Sequence, residues 1–191
     1  MEIGLYFGSF NPIHHGHLII GNYILEHTSL NQVWFVVSPQ NPLKPSGSLL
    51  NEYHRLYLVN AAVEGEKKLK ASDIEFKLPK PSYTADTLAY LAEKYPTYSF
   101  SLIMGSDSFQ NLAKWKNYQN LLRNYPIYVY KRPQHEELPI YPDAKRLMIL
   151  DAPLLPISAT RIRKNIKEGK SIRYLVPDAV RDEIERNGYY R

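Results

Sequence analysis

The sequence has no cysteine, which excludes disulfides, zinc–thiolate centres and thiol nucleophiles together. Long apolar runs are missing too: nothing approaches the ~20 consecutive apolar residues of a membrane helix. Glycine, asparagine, proline and histidine interrupt the opening stretch, so it does not read as a secretory signal. There is no internal repeat, no low-complexity tract and no obvious pair of catalytic carboxylates. These absences leave a soluble cytoplasmic protein as the expectation.

What is present can build a core. A chain of 191 residues, 44% hydrophobic and 23% charged, suits one domain or one domain with a small helical appendage. The 24 lysines and arginines exceed the 19 acidic residues, giving a formal charge of +5. That modest excess fits a protein handling anionic small molecules. Nucleic acid is open on charge alone, but the basic residues are scattered rather than clustered among aromatics. The 16 tyrosines read as packing residues.

Ile3 to Phe7 is a short apolar strand running into Gly8-Ser9-Phe10-Asn11-Pro12, and a helix follows from near Gly16, with Leu18, Ile19, Tyr23 and Ile24 at helical spacing. Val33 to Val37 is a continuous apolar run of the kind a parallel sheet covers on both faces. It opens into a Pro-rich loop, where Lys44 reads as an anion contact or a solvated loop lysine. Asn51 to Glu64 has helical periodicity, Ser72 to Phe76 alternates like a strand, and Ser82 or Tyr83 starts a helix. Tyr98 to Met104 is a strand closed by Gly105-Ser106-Asp107, with Asp107 either a ligand beyond a strand end or a helix N-cap. Phe109 to Leu122 reads as one helix containing Trp115; Ile127 to Tyr130 and Leu147 to Leu150 are further strands, separated by a loop over 132–143. Ser158 opens a helix with a hydroxyl cap, and Val176-Pro177-Asp178 opens another. Strands alternating with helices predict an α/β fold, a Rossmann-like doubly wound parallel sheet with helices on both faces. Residues 1–155 would form that core and 156–191 a small C-terminal helical appendage.

The stretch Gly8 to Leu18 organises the rest. Strand, turn and helix in that order present backbone N–H groups and a helix dipole to an anion. His14 and His17 are three apart, so they share a face if the turn between them is helical. Two imidazoles beside a helix N-terminus suit phosphate oxygens. Either histidine alone could be a hydrogen-bonded core residue; the constellation favours a site. His15, between them, is expected to face away.

Gly8 to His17 spells Gly-x-Phe-x-Pro-x-His-x-Gly-His, which resembles the signature of the HxGH nucleotidyltransferases. Further matches are Pro42-Leu43-Lys44, Pro81 to Leu88, Leu102 to Asp107, Trp115, Tyr130 to Pro133, Ile157 to Arg163 and Tyr174 to Pro177. In that order, across nearly the whole chain, they resemble the bacterial nicotinate-nucleotide adenylyltransferase family, and the Ser82-Tyr83-Thr84-Ala85-Asp86-Thr87 segment is what narrows it to this branch. Asn11, where the family often has aspartate, Ser9 in place of a glycine, and Ala159 in place of serine or threonine are departures at positions that need no charge.

The resemblance implies transfer of an adenylyl group from ATP to nicotinate mononucleotide. It implies catalytic roles for His14, His17 and Arg163, and ATP contacts from Gly8, Ser9, Phe10, Gly105, Asp107 and Ser158 besides these three. Nicotinate mononucleotide would meet Lys44, Ser82, Tyr83, Thr84 and Trp115, although Trp115 reads equally as core. Mg²⁺ would ride on the ATP phosphates with no protein metal cage. No nucleic-acid or membrane partner is implied, and a homo-oligomer is allowed. Pantetheine-phosphate adenylyltransferases and cytidylyltransferases share the histidine motif but not the 82–87 segment.

Overall fold

A computed structural model describes residues 1–40, 49–133, 135 and 137–191. Among these, the strands are β1 (Glu2–Gly8), β2 (Gln32–Val37), β3 (Leu69–Ser72), β4 (Ser99–Gly105), β5 (Ile127–Tyr130) and β6 (Leu147–Leu150). They form one parallel sheet in the order β3-β2-β1-β4-β5-β6. The chain grows outward from β1 in one direction, then returns and grows in the other. The switch between β1 and β4 leaves a crevice at their carboxyl ends, where doubly wound sheets bind ligands.

Alternation along each strand splits the core between the two faces of the sheet. Tyr6, Phe35 and Val37 join Ile24 of α1 (His15–His27), Leu58 of α2 (Glu52–Ala62), Ile162 of α6 (Ala159–Lys167) and Val180 of α7 (Asp178–Asn187). Leu5, Val36 and Leu102 join Leu88 of α3 (Thr84–Lys94), Phe109 of α4 (Ser106–Gln110) and Leu121 of α5 (Tyr118–Asn124). Each such fully buried side chain is worth about 1.5–3 kcal/mol relative to exposure. The chain's last helices therefore return to the face already covered by α1, which brings residues near 160 beside the turn at residue 11. Among the described residues no helix is long and apolar enough to cross a membrane.

Two elements differ from the sequence expectation. The strand expected at 72–76 lies earlier, at Leu69–Ser72, pairing with Val33 to Val36. Ile74–Lys77 is instead a 3-10 turn, closed by Phe76 N–H to Asp73 O and Leu78 N–H to Glu75 O. Ile74 and Glu75 are both buried, which a half-exposed strand does not allow for consecutive residues. The single helix expected at 109–122 is three pieces: α4, a 3-10 turn Leu112–Lys114, and α5. Phe109 and Leu112 are one helical turn apart, but Trp115 is extended and Asn117 is left-handed at φ 53°. Asparagine tolerates that conformation, and the break frees residues 115–117 to leave the helix axis.

Candidate active site

The turn from β1 into α1 sits over the switch point. Phe10 holds a left-handed backbone at φ 43° and is buried. That conformation costs about 1–2 kcal/mol for a residue with a Cβ. Edge contacts of its ring with Tyr6, His17 and Phe35 offset the cost. His14 is the N-cap of α1, extended at φ −150°, and His17 is three residues on inside the helix. The two are adjacent, but His14 gets there from outside the helix, not from a helical turn. The His14 N–H donates to Nδ1 of His17 at 3.3 Å. Nδ1 of His17 is thus an acceptor, and the neutral ring carries its proton on Nε2. Burial, with Arg132 and His15 adding positive charge, pushes His14 down to about 4 from an ordinary 6.5, so it is neutral at pH 7. A Cβ on Gly16 would lie 3.1 Å from the His14 ring, so a larger residue there would press on that ring. His15 is half-buried, and its N–H donates to Leu175 O at 3.1 Å.

The amino end of α6 meets this turn. Arg163 Nη1 donates to the Asn11 carbonyl at 2.7 Å, and its Nη2 reaches Thr160 Oγ1 at 3.4 Å. Ser158 is the N-cap of α6, exposed, with Oγ accepting from Arg161 N–H at 3.2 Å. That leaves the hydroxyl proton as a donor. Asn11 is a joint: its carbonyl receives Arg163 and its Oδ1 receives the Leu50 N–H at 3.2 Å.

On the other side of the switch, Gly105 closes β4 and is the N-cap of α4, so Asp107 is not the cap. Asp107 pairs with Arg132 instead, Nε to Oδ1 and Nη1 to Oδ2 both at 3.4 Å. Arg132 Nη2 donates to the Tyr130 hydroxyl at 2.9 Å, which is 2.9 Å from the Tyr6 hydroxyl. Burial and the neighbouring Tyr130 hold Tyr6 well above its ordinary value, so the phenol stays neutral. A Cβ on Gly105 would strike Asp107 and lie 2.8 Å from Arg132 Nε.

Tyr83 is the N-cap of α3, and no side chain among the described residues caps that first turn. Ser82 is buried, and its hydroxyl donates inward to Glu75 Oε2 at 2.7 Å. Lys116 pairs with Asp86 at 2.8 Å and lies 4.9 Å above the Tyr83 ring. This tethers the segment carrying Trp115 to the start of α3. Trp115 itself is half-buried and packs against the core on that face. Lys44 lies outside the described residues.

The sequence reading passed over three charged residues. Arg55, fully buried in α2, donates to the carbonyls of Leu50, Ser9, Ser38 and Pro39 at 2.7, 2.7, 2.8 and 3.1 Å. Burial lowers its pKa from the ordinary arginine value. Four carbonyl acceptors are what makes a buried guanidinium tolerable, and they pin the loops after β1 and β2 together. Glu75, 1% exposed, and Arg132 are the other two. The one available signal was an arginine in the middle of an otherwise apolar helix face at Leu58 and Val59.

A cytidylyltransferase-like family model matches residues 5–165. Fold, switch-point site and family match together define a cytidylyltransferase-like nucleotidyltransferase. A probable nicotinate-nucleotide adenylyltransferase of Flavobacterium psychrophilum is 52% identical over 192 residues, covering 100% of both chains. One of Cytophaga hutchinsonii is 53% identical, covering 100% of this chain and 98% of its own. The chain belongs to the nicotinate-nucleotide adenylyltransferase family. Among solved structures, a nicotinic acid mononucleotide adenylyltransferase of Plasmodium falciparum complexed with NaAD superposes with a TM-score of 0.80. It covers 99% of this chain and 97% of its own; at 20% identity the likeness speaks to the fold.

Proposed function

We infer that the chain transfers the adenylyl group of ATP to the phosphate of nicotinate mononucleotide, forming nicotinate adenine dinucleotide and releasing pyrophosphate. The observation that carries the residue roles is the Arg163–Asn11 bond, which sets α6 against the histidine turn. His14, His17, Ser158 and Arg163 thereby form one cluster of hydrogen-bond donors at the switch point.

The chemistry asks little of a general base. The attacking group is a phosphate monoester whose second pKa, near ~6, leaves it mostly dianionic at neutral pH. The work is to bring two polyanions together and to stabilise charge on the α-phosphate and departing pyrophosphate. A neutral His14 and an Nε2-protonated His17 act as donors to phosphate oxygens, His17 making the contact that strengthens in the transition state. Ser158 and Arg163 hold the β- and γ-phosphates, with the amides of Gly8, Ser9 and Phe10 lining the pocket. ATP arrives as its Mg²⁺ complex, whose ion offsets phosphate charge. The donor set here fits that: it is imidazole, hydroxyl, amide and guanidinium, and Asp107 is already paired with Arg132. Gly105 and Asp107 face the nucleotide. The Tyr83 and Thr84 amides and the Thr84 hydroxyl, at the positive end of α3, receive the pyridine carboxylate, with Trp115 as the stacking surface. Donors at that end favour the acid over the amide, because an amide NH₂ would leave them unpaired at ~1–3 kcal/mol each. Residues 1–191 act as one cytoplasmic domain, whose last helices complete the phosphate site.

Pyrophosphate release measured across ATP and CTP, paired with nicotinate mononucleotide, nicotinamide mononucleotide and pantetheine phosphate, tests this. Turnover is expected with ATP and nicotinate mononucleotide, and weakly with its amide. Turnover with another pair and none with this one would overturn the reading.

A further inference from the structure

Glu75 is a carboxylate placed where a carboxylate is expensive. It lies in the 3-10 turn after β3 and is 1% exposed, and no arginine or lysine pairs with it among the described residues. Its two oxygens are taken separately by hydroxyls from the segment that opens α3. Ser82 Oγ donates to Oε2 at 2.7 Å and Thr87 Oγ1 donates to Oε1 at 2.9 Å. Other acceptors for these protons are farther: Gln40 O at 3.5 Å from Ser82 Oγ, and Tyr83 O at 3.2 Å from Thr87 Oγ1. Burial raises the Glu75 carboxyl above its usual value, while hydrogen bonding from Ser82, Ser38 and Thr87 pulls it back down.

The geometry has one chemical consequence. Both carboxyl oxygens accept, so each hydroxyl spends its single proton on Glu75 and turns inward. Ser82 and Thr87 bracket Tyr83 and Thr84, the residues whose amides begin α3. Holding both flanks fixes the direction of those amides. It also keeps the Ser82 oxygen, an acceptor one residue from the pocket, buried and away from a ligand. A site that selects a carboxylate over a carboxamide must present donors and withhold acceptors.

We propose that Glu75 is a positioning residue for substrate selectivity: through Ser82 and Thr87 it keeps the start of α3 a donor-only surface, favouring the acid mononucleotide over its amide. The proposal rests on the reading that the pyridine carboxylate meets α3's amino end. A glutamine at position 75 is nearly isosteric, but its NH₂ donates toward one hydroxyl. That hydroxyl then becomes an acceptor, and its proton is released to seek another partner.

The test compares kcat/KM for nicotinate and nicotinamide mononucleotides in the full chain, Glu75→Gln and Ser82→Ala, with KM for ATP and thermal midpoints alongside. The acid-to-amide ratio is expected to fall about tenfold or more in Glu75→Gln, mainly through KM for the acid, with KM for ATP unchanged. Ser82→Ala, which removes the stray acceptor along with the donor, should lower the ratio less than Glu75→Gln. Should Glu75→Gln not fold, Thr87→Val takes its place, with the same expected direction. A clear acid preference in the unmodified chain that the folded variants leave within about twofold overturns the role of Glu75 alone. Equal losses for ATP and mononucleotide overturn it too, as a merely structural defect. No preference in the unmodified chain overturns the pocket assignment and this proposal with it.

Discussion

The rings of His14 and His17 stack with centroids 3.7 Å apart and planes inclined by 23°, reached from two different backbone states. His14 stands extended at the cap while His17 sits in the helix, and the His14 amide closes onto the His17 ring. Edge contacts from Tyr6 and Phe10 hold His17 on its other sides. These contacts fix both rings before any ligand binds, and for the phosphate contact proposed above such preorganisation is the condition under which a donor contributes most to catalysis.

His17→Ala should therefore lower kcat by orders of magnitude, since a preorganised donor to developing charge is worth about 3 kcal/mol or more. His15→Ala should do far less, because what ties His15 into the fold is its backbone N–H to Leu175. Steady-state pyrophosphate release for the two variants checks this; equal losses would remove His17 from its assigned role.

Arg163 divides its guanidinium between Asn11 O and Thr160 Oγ1. A lysine keeps the charge and loses the fork, so Arg163→Lys should recover only part of what Arg163→Ala loses in kcat/KM for ATP. Lys167→Ala, near the other end of the same helix, is the control and should leave kinetics unchanged. Unaltered ATP kinetics in Arg163→Ala would refute the assignment.

Gly105 has ordinary backbone angles, φ −77° and ψ 158°, so its need for glycine is one of space. Gly105→Ala would push a methyl into the Asp107–Arg132 pair and to 3.1 Å from the Tyr130 ring. The expected result is a loss of about 1–3 kcal/mol in urea unfolding and a raised KM for ATP. Wild-type stability in this variant would show that the pair yields without cost.

His14 should leave an acid signature in stability. Its folded pKa, about 4, lies below the ordinary 6.5, so between those values the unfolded chain takes up a proton that the folded site refuses. Stability is then lost as pH falls from 6.5 toward 4, by roughly 3 kcal/mol at most, and no further below. Glu75, raised by burial, acts in the opposite sense, so the readout is the difference between the unmodified chain and His14→Asn. Urea midpoints from pH 8 to pH 4 should fall less in the variant. Parallel curves would mean that His14 titrates normally in the folded protein.

What the sequence determined by itself is local in origin. The strands at 3–7, 33–37 and 127–130 were legible because short apolar runs suit a sheet covered on both faces, that at 98–104 because it ends in the apolar run Leu102 to Met104, and that at 147–150 because it is a short apolar run between polar segments. The hydroxyl cap at Ser158 and the glycine turn after β1 were legible because caps and turns are set by residues a few positions apart. Spacing failed where a local pattern suits more than one structure: Ile74 and Phe76 alternate like a strand inside a 3-10 turn, and Phe109 and Leu112 keep a helix's spacing into the 3-10 turn that ends it. The site needed the tertiary structure. Arg55 and Arg163 bind backbone carbonyls, and every residue carries one of those, so nothing in the side chains at 9, 38, 39 or 11 announces the contact. Arg132 reaches Asp107 only because parallel pairing brings the ends of β4 and β5 to one edge of the sheet, and Glu75 reaches hydroxyls at 82 and 87 only because the connection from β3 to β4 folds back on itself. Which buried charge is tied to which loop is decided by that topology, because a buried charge takes whatever acceptors or donors the fold places beside it.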